Sequence, residues 1–221
     1  MSLTLVVGNK VYSSWSLRPW HLLRHGGVPF EEIGIPLYQD GSKERILAHS
    51  PSGKVPALLD GELCIWDSLA ICETLAERFP DRCGWPRDAA ARAVARAVSA
   101  EMHSGFVALR HELPMNARER RTGVTPSADA LADIARVAAI WKECRERYGA
   151  GGPWLFGAFS PADAMYAPVA IRFWSYGTAL PPVAAAWRDT VLADPPIVEW
   201  MSAARDEKER LEKFERGVKA A

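Results

Sequence analysis

Strand and helix signals alternate through the first 80 residues and then the strand signals stop, which restricts the chain to a small α/β layer followed by an all-helical half. Leu3–Val7 reads as a short apolar strand and Ser16–His25 as a helix. Phe30–Leu37 places Ile33, Ile35 and Leu37 on one face, the period of a half-buried strand, and Ser42–His49 reads as a short helix. Val55–Leu59, the turn Asp60-Gly61 and Leu63–Trp66 form a hairpin pattern. Ser68–Arg78 follows as a helix with Leu69, Cys72 and Leu75 on one face. The order β-α-β-α-β-β-α specifies a small layer with a mixed sheet.

Phe79-Pro80-Asp81-Arg82-Cys83-Gly84-Trp85-Pro86 interrupts this pattern with two prolines and a glycine. The expected division is residues 1–80, a linker over 81–87 and a helical unit over 88–221. In that unit a long Ala- and Arg-rich helix is expected over Asp88–Leu113, with further helices over Ser127–Tyr148, Ala162–Ser175, Pro182–Leu192 and Pro196–Ala204. The charged tail Arg205–Lys219 carries Asp206–Arg210, Glu209–Lys213 and Glu212–Arg216 at i,i+4 spacing and reads as a solvated helix.

Charge narrows the partners. Lys plus Arg total 27 and Asp plus Glu total 27, so no basic surplus favours nucleic acid or an anionic membrane. No apolar run approaches the roughly 20 residues that cross a bilayer. The start, Met1-Ser2-Leu3-Thr4-Leu5-Val6-Val7-Gly8, reads as a strand rather than as a secretory signal. Cys64, Cys72, Cys83 and Cys144 form no C-x-x-C pair and are expected as free thiols in a reducing cytoplasm, Cys64 and Cys72 as small buried hydrophobes.

Four segments carry the chemistry. Tyr12-Ser13-Ser14-Trp15-Ser16-Leu17-Arg18-Pro19 joins the first strand to the first helix, where unpaired N–H groups and a positive dipole end favour an anion. Pro19 fits a first helical turn, which makes Ser16 the expected N-cap and leaves the Ser13 and Ser14 hydroxyls in the loop above it. Ser50–Leu58 contains Lys54-Val55-Pro56, a proline opening a strand and a candidate for the cis form, with the Val55 backbone free to pair with an extended ligand and Lys54 beside it for a carboxylate. Trp66-Asp67-Ser68 opens a second helix with a hydroxyl at its mouth. Phe159-Ser160-Pro161-Ala162-Asp163 has the spacing of a capping box and is assigned a structural role. His21 and His25 lie at i,i+4 without a third ligand in the sequence and are read as surface or interface histidines, not as a metal site.

Taken together, S-S-W-S-L-R, G-K-V-P-A-L, D-S-L-A-I and F-S-P-A-D in this order and spacing resemble the glutathione transferase superfamily, and the resemblance spans essentially the whole chain. It implies a thioredoxin-like N-terminal domain with a mixed four-stranded sheet, followed by an all-helical C-terminal domain, in a protein that uses glutathione as co-substrate, needs no metal and forms a homodimer. The first motif is similar to the S-S-C-S of serine-type, zeta-like members, with Trp15 where they carry cysteine. By that match Ser13 and its neighbour Ser14 are the catalytic candidates, and Trp15 joins the binding set. Lys54 falls at the glycyl end of glutathione, Val55 and the following Pro56 at the cysteinyl backbone, and Asp67 and Ser68 at the γ-glutamyl end.

The implied chemistry can be sized. A thiol of pKa about 8.5 is only about 3% ionised at pH 7, and lowering that pKa by about two units takes about 2.7 kcal/mol of preference for the anion. A hydroxyl hydrogen bond to the thiolate contributes about 1.5–3 kcal/mol and a helix N-terminus about 0.3–1, so a serine at this position suffices. The expected activity is attack of the thiolate on a small hydrophobic electrophile. Non-catalytic glutathione binding or scaffolding, and glutathione-dependent isomerisation, are the alternatives. Dithiol exchange is excluded at this site, because Ser13-Ser14-Trp15-Ser16 offers no nucleophilic cysteine.

Overall fold

β1 (Leu3–Val7) sends Leu3, Leu5 and Val7 into the main core and Val6 into a smaller one with Ile35, Ile46 and Ala57. Burial on both faces makes it a central strand. In the structure, a computed structural model describing residues 3–220, β1 lies between β2 (Phe30–Gly34), parallel to it, and β3 (Ala57–Asp60), antiparallel. β4 (Leu63–Ile65) completes a mixed sheet of order β2-β1-β3-β4. Gly61, at φ 62°, supplies the left-handed residue of the β3–β4 turn. The registers Val7↔Gly34, Val6↔Ala57 and Leu58↔Ile65 bring the ends of β1, β2 and β4 and the start of β3 to one edge. The three motifs of the N-terminal half all leave the sheet at that edge.

α1 (Ser14–His25), α2 (Ser42–Leu47) and α3 (Ser68–Arg78) accompany the sheet. α1 begins earlier than its proline suggests. Ser13 is the N-cap, and Pro19 lies inside the helix, where it withholds an N–H from the Trp15 carbonyl. Ser16 therefore does not cap: it is fully buried, and its Oγ accepts from the Gly8 N–H at 3.1 Å, tying the end of β1 to the helix.

Pro80–Cys83 forms the one-turn helix α4, and the helical half runs through α5 (Ala89–Ser104), α6 (Val107–Glu112), α7 (Ala128–Tyr148), α8 (Pro161–Ser175), α9 (Pro182–Ala193) and α10 (Pro195–Asp206). The single helix expected over Asp88–Leu113 is broken in two. Gly105 is extended, where a Cβ would sit 2.8 Å from the Glu101 carbonyl, and Phe106 is left-handed at φ 60°. The freed N–H of Leu109 donates to Asp133.

The tail also differs from expectation. After Asp206 it runs through one 3₁₀ turn (Glu212–Phe214) into β6 (Val218–Lys219), which pairs with β5 (Arg121–Thr122). Its charges find partners outside the i,i+4 pattern, Arg210 and Lys219 reaching the distant Glu119 and Arg210 also Glu215, in place of the local pairs that a solvated helix would use.

α8 is buried along almost its whole length and packs against α1, α5 and α9. The main core is continuous from Leu5 and Leu17 to Phe173 and Trp187. Trp141 and Trp187 meet at 4.3 Å between C-terminal helices, but Trp200 crosses to the other half, packing on Trp20 at 5.0 Å and donating to the Lys10 carbonyl. The four cysteines are unpaired, with Cys72, Cys83 and Cys144 buried and Cys64 half-buried. Burial pushes the Cys83 thiol up to about 11 and the Cys144 thiol up to about 12, so neither is a thiolate at neutral pH. Among the described residues no helix is long and apolar enough to cross a membrane.

Candidate functional site

The loop Gly8–Ser13 turns β1 into α1 with a hydrogen bond from the Ser13 N–H to the Asn9 carbonyl at 2.8 Å and one from Ser14 to Tyr12 at 2.9 Å. Both serines are nearly buried and their hydroxyls are engaged differently. Ser13 Oγ donates to Ser16 Oγ at 2.7 Å. Ser14 Oγ accepts from Nη2 of Arg172, on α8, at 3.1 Å.

Trp15, about one-third exposed, is held between two cations. The Arg18 guanidinium lies 4.2 Å from its ring centre and that of Arg110, on α6, 4.7 Å. His103, on α5, meets it edge-on at 5.3 Å. Arg18 is fully buried and donates through Nη1 to Ser68 Oγ at 3.2 Å. Asp67 caps α3, its Oδ1 accepting from the Leu69 and Ala70 N–H groups, while its Oδ2 lies 2.8 Å from His103 Nε2. Ser14, Trp15, Asp67 and Ser68 are thereby linked through Arg172, Arg110, Arg18 and His103, none of which the motifs singled out as binding groups.

Lys54, Val55 and Pro56 approach along the sheet edge. The Val55–Pro56 peptide is cis, Lys54 is exposed, and Val55 stands just outside the β1–β3 ladder. Among the described residues no hydrogen bond ties Lys54 or Val55 to the serine loop.

The electrostatics are unusual in their sign. Burial, with Arg110 nearby, pulls both Arg18 and Arg172 down to about 9, which leaves them charged at neutral pH. Arg172 makes its other bonds to the carbonyls of Leu113 and Arg110, and no carboxylate faces it among the described residues. Burial likewise holds His103 below its ordinary value, against the pull of Asp67. This edge is electropositive and presents the Ser14 hydroxyl and a helix start to an anion.

His21 is not on the surface but fully buried where α1 meets the helical half, and the carboxyl the sequence did not bring near comes from Asp194 at the α9–α10 junction. Asp194 accepts from His21 Nε2 at 2.6 Å and from His25 Nδ1 at 3.0 Å, beside the stacked ring of Phe159. Burial keeps His21 neutral below its ordinary range; bonds from both histidines outweigh burial and hold Asp194 down at about 2. Both groups bind protons more weakly folded than unfolded, so their contribution is present at neutral pH and is lost below about 6.5 for His21 and below about 4 for Asp194. In urea unfolding the stability difference between the parent and His21→Gln should therefore shrink between pH 7 and pH 5 by up to about 1.4 kcal/mol per unit, the contributions of other buried groups such as Asp163 cancelling in the comparison; a variant as acid-sensitive as the parent would overturn the assignment.

A four-stranded mixed sheet with a cis-proline at one edge, joined to a helical half through a buried central helix, defines a thioredoxin-like domain fused to a helical bundle. Residues 12–78 match the family model for the glutathione S-transferase N-terminal domain. Glutathione S-transferase Z1 of Arabidopsis thaliana is 37% identical over 93 residues, 38% of this chain and 41% of its own. A probable maleylacetoacetate isomerase of Caenorhabditis elegans is 36% identical over 94 residues, 42% of each chain. The matched stretches thus span less than half the length of these curated relatives. A glutathione transferase homologue from Burkholderia gl BGR1, solved with bound glutathione, superposes with a TM-score of 0.68 at 22% identity, covering 94% of this chain and all of its own. Residues 12–78 are thus similar to the glutathione S-transferase N-terminal domain, and the chain as a whole shares the fold of the solved glutathione transferase homologue.

Proposed function

We propose that the protein binds glutathione along the sheet edge and ionises its thiol for attack on a small hydrophobic electrophile. The observation that carries this reading is the convergence of three motifs, Ser13–Ser14, Val55–cis-Pro56 and Asp67–Ser68, at one edge of the thioredoxin-like sheet. Val55 would pair with the cysteinyl backbone, Lys54 would meet the glycyl carboxylate, and Asp67 with Ser68 would hold the γ-glutamyl end. Arg18, donating to Ser68, adds positive charge behind that end. A hydroxyl of the serine pair would donate to the sulfur, and Trp15 would close the site. The thiol proton leaves to solvent, the thiolate forms a sulfur–carbon bond, and the leaving group departs with its electron pair.

In this reading residues 1–80 are the glutathione-binding unit, 81–87 the link and 88–221 the wall that shapes the electrophile pocket. The protein acts in the cytoplasm as a homodimer, without a metal. Glutathione-dependent isomerisation is the second reading, favoured by the match to a probable maleylacetoacetate isomerase. A binding or scaffold role is the third.

Calorimetric titration with glutathione in two buffers of different ionisation enthalpy separates the two thiolate readings from the third. We expect binding with release of a substantial fraction of a proton near pH 7. Binding without proton release, or no binding, would leave the scaffold reading.

A further inference from the structure

We propose that Arg172 is a positioning residue that makes Ser14, rather than Ser13, the hydroxyl donor to the glutathione thiolate. The inference rests on the reading that this site ionises glutathione. A serine hydroxyl has one proton to give. Ser13 gives its proton to Ser16 Oγ, whose other partner is the Gly8 N–H, so that proton is committed to closing the loop between β1 and α1. Ser14 is placed oppositely. Its oxygen receives Nη2 of Arg172, and among the described residues its own proton has no acceptor.

A charged donor on the oxygen polarises the O–H bond and strengthens what the hydroxyl donates in turn. Arg172 is fixed for this task. Its Nη1 bonds the Leu113 carbonyl at 2.6 Å, so the guanidinium plane cannot swing away from Ser14. It is also nearly buried, where its charge is poorly screened. Arg172 comes from the last turn of α8, so the helical half of the chain supplies a group that sets the chemistry of the sheet edge.

The charged and titratable groups around the pair are Arg18 on α1, Arg110 on α6, Tyr176 just after α8 and, across Trp15, His103 with Asp67. Tyr176 is pushed up to about 12 by burial and stays neutral, His103 titrates below its ordinary value, and both buried arginines hold their charge below about 9. Of these groups only the bound thiol gains a thiolate absorbance between pH 6 and 8, so its ionisation can be followed there.

The test follows the near-ultraviolet absorbance of the thiolate of glutathione bound to the full chain as pH is raised through that range. We expect the wild-type midpoint to lie below that of free glutathione. Ser14→Ala should raise it so that thiolate at pH 6.5 falls about 10- to 100-fold, as loss of one hydrogen bond to an anion implies. Ser13→Ala should move the midpoint by less than Ser14→Ala does. Arg172→Met should raise the midpoint and Arg172→Lys should recover part of the shift, whereas a structural role alone would lower affinity without moving it. If Arg172→Met does not fold, Ser14→Ala and Arg172→Lys decide. A wild-type midpoint equal to that of free glutathione would overturn both the activation reading and this proposal. A low wild-type midpoint that Ser13→Ala raises more than Ser14→Ala does, or that Arg172→Lys leaves unmoved along with Arg172→Met, would overturn the proposal alone.

Discussion

Asp163→Ala is expected to lower stability by about 3–5 kcal/mol, among the largest losses a single substitution in this chain can cause. The carboxylate is fully buried at the start of α8 and divides four donors between its oxygens. Oδ1 accepts from the Leu155 N–H at 2.8 Å and Trp187 Nε1 at 3.1 Å, and Oδ2 accepts from the Ser160 N–H at 3.0 Å and Ser160 Oγ at 3.1 Å. Alanine leaves all four without an acceptor in a dry interior, and each orphaned group costs about 1–3 kcal/mol before relaxation. For a chain of this size the melting temperature should drop on the order of 10 °C. Asp163→Asn separates the two halves of the role. Its carbonyl can still serve Leu155 and Trp187, while its NH₂ faces the Ser160 donors, so an intermediate loss is expected. Differential scanning calorimetry of both variants checks this, and an alanine variant melting within about 3 °C of the parent would refute it. Burial pushes the carboxyl up to about 6 although the four donors hold it down. Its folded value therefore lies above the unfolded one, so ionising it costs stability above pH 6, and that cost is relieved toward pH 4.

The same capping motif shows what could be read from the sequence. Ser160, Pro161 and Asp163 announce a helix start because capping is local, governed by residues three apart. The sheet was readable for a similar reason: alternation along β1, β2 and the β3–β4 hairpin is a property of each short segment. Pro19 misled because its rule describes what a proline prefers; the Ser16–Gly8 bond, which favours a helix begun at Ser14, joins residues across a turn. The break at Gly105–Phe106 was hidden within an apolar period that continues on either side.

Of the proposed site, motif order singles out Ser13, Ser14, Trp15, Asp67 and Ser68, but the groups that engage them, Arg172, Arg110 and His103, come from α8, α6 and α5. Tertiary packing alone brings these helices to the sheet edge. One signal was available: Arg172 is the single charged residue in Ala164–Trp174, a segment otherwise apolar enough to be buried. A lone cation in such a stretch needs a polar partner, and that requirement points to a site. Arg18, three residues after Trp15 in the first motif, carried the same message through its i,i+3 spacing.

The tail is where reading by local charge pairs failed most completely, and it yields the second large effect. A chain ending at Asp206 is expected to lose about 3–5 kcal/mol and to bind glutathione at least tenfold more weakly. Glu207 accepts from the backbone N–H groups of Lys10 at 2.6 Å and Val11 at 3.2 Å. The Tyr12 hydroxyl donates to Glu215 at 2.5 Å and accepts from the Leu211 N–H at 3.3 Å. Arg118 reaches the Glu207 and Glu209 carbonyls, and the nearly buried Arg121 pairs with Glu215 at 2.8 Å and with the Arg216 and Gly217 carbonyls at 2.9 Å. Removing residues 207–221 strips partners from two arginines and from three consecutive residues, Lys10, Val11 and Tyr12. Those three lead directly into Ser13 and Ser14, so loosening them blurs the hydroxyl geometry that thiol ionisation requires. The point variant Glu207→Gln, which keeps one acceptor, should cost about 1–2 kcal/mol and weaken binding less. Urea unfolding and glutathione titration of both proteins decide the matter. A truncated chain that unfolds at the parent's midpoint and binds glutathione equally well would show that the serine loop holds its shape without the strap. If instead stability falls while affinity is kept, the tail is a structural clasp with no hold on the site.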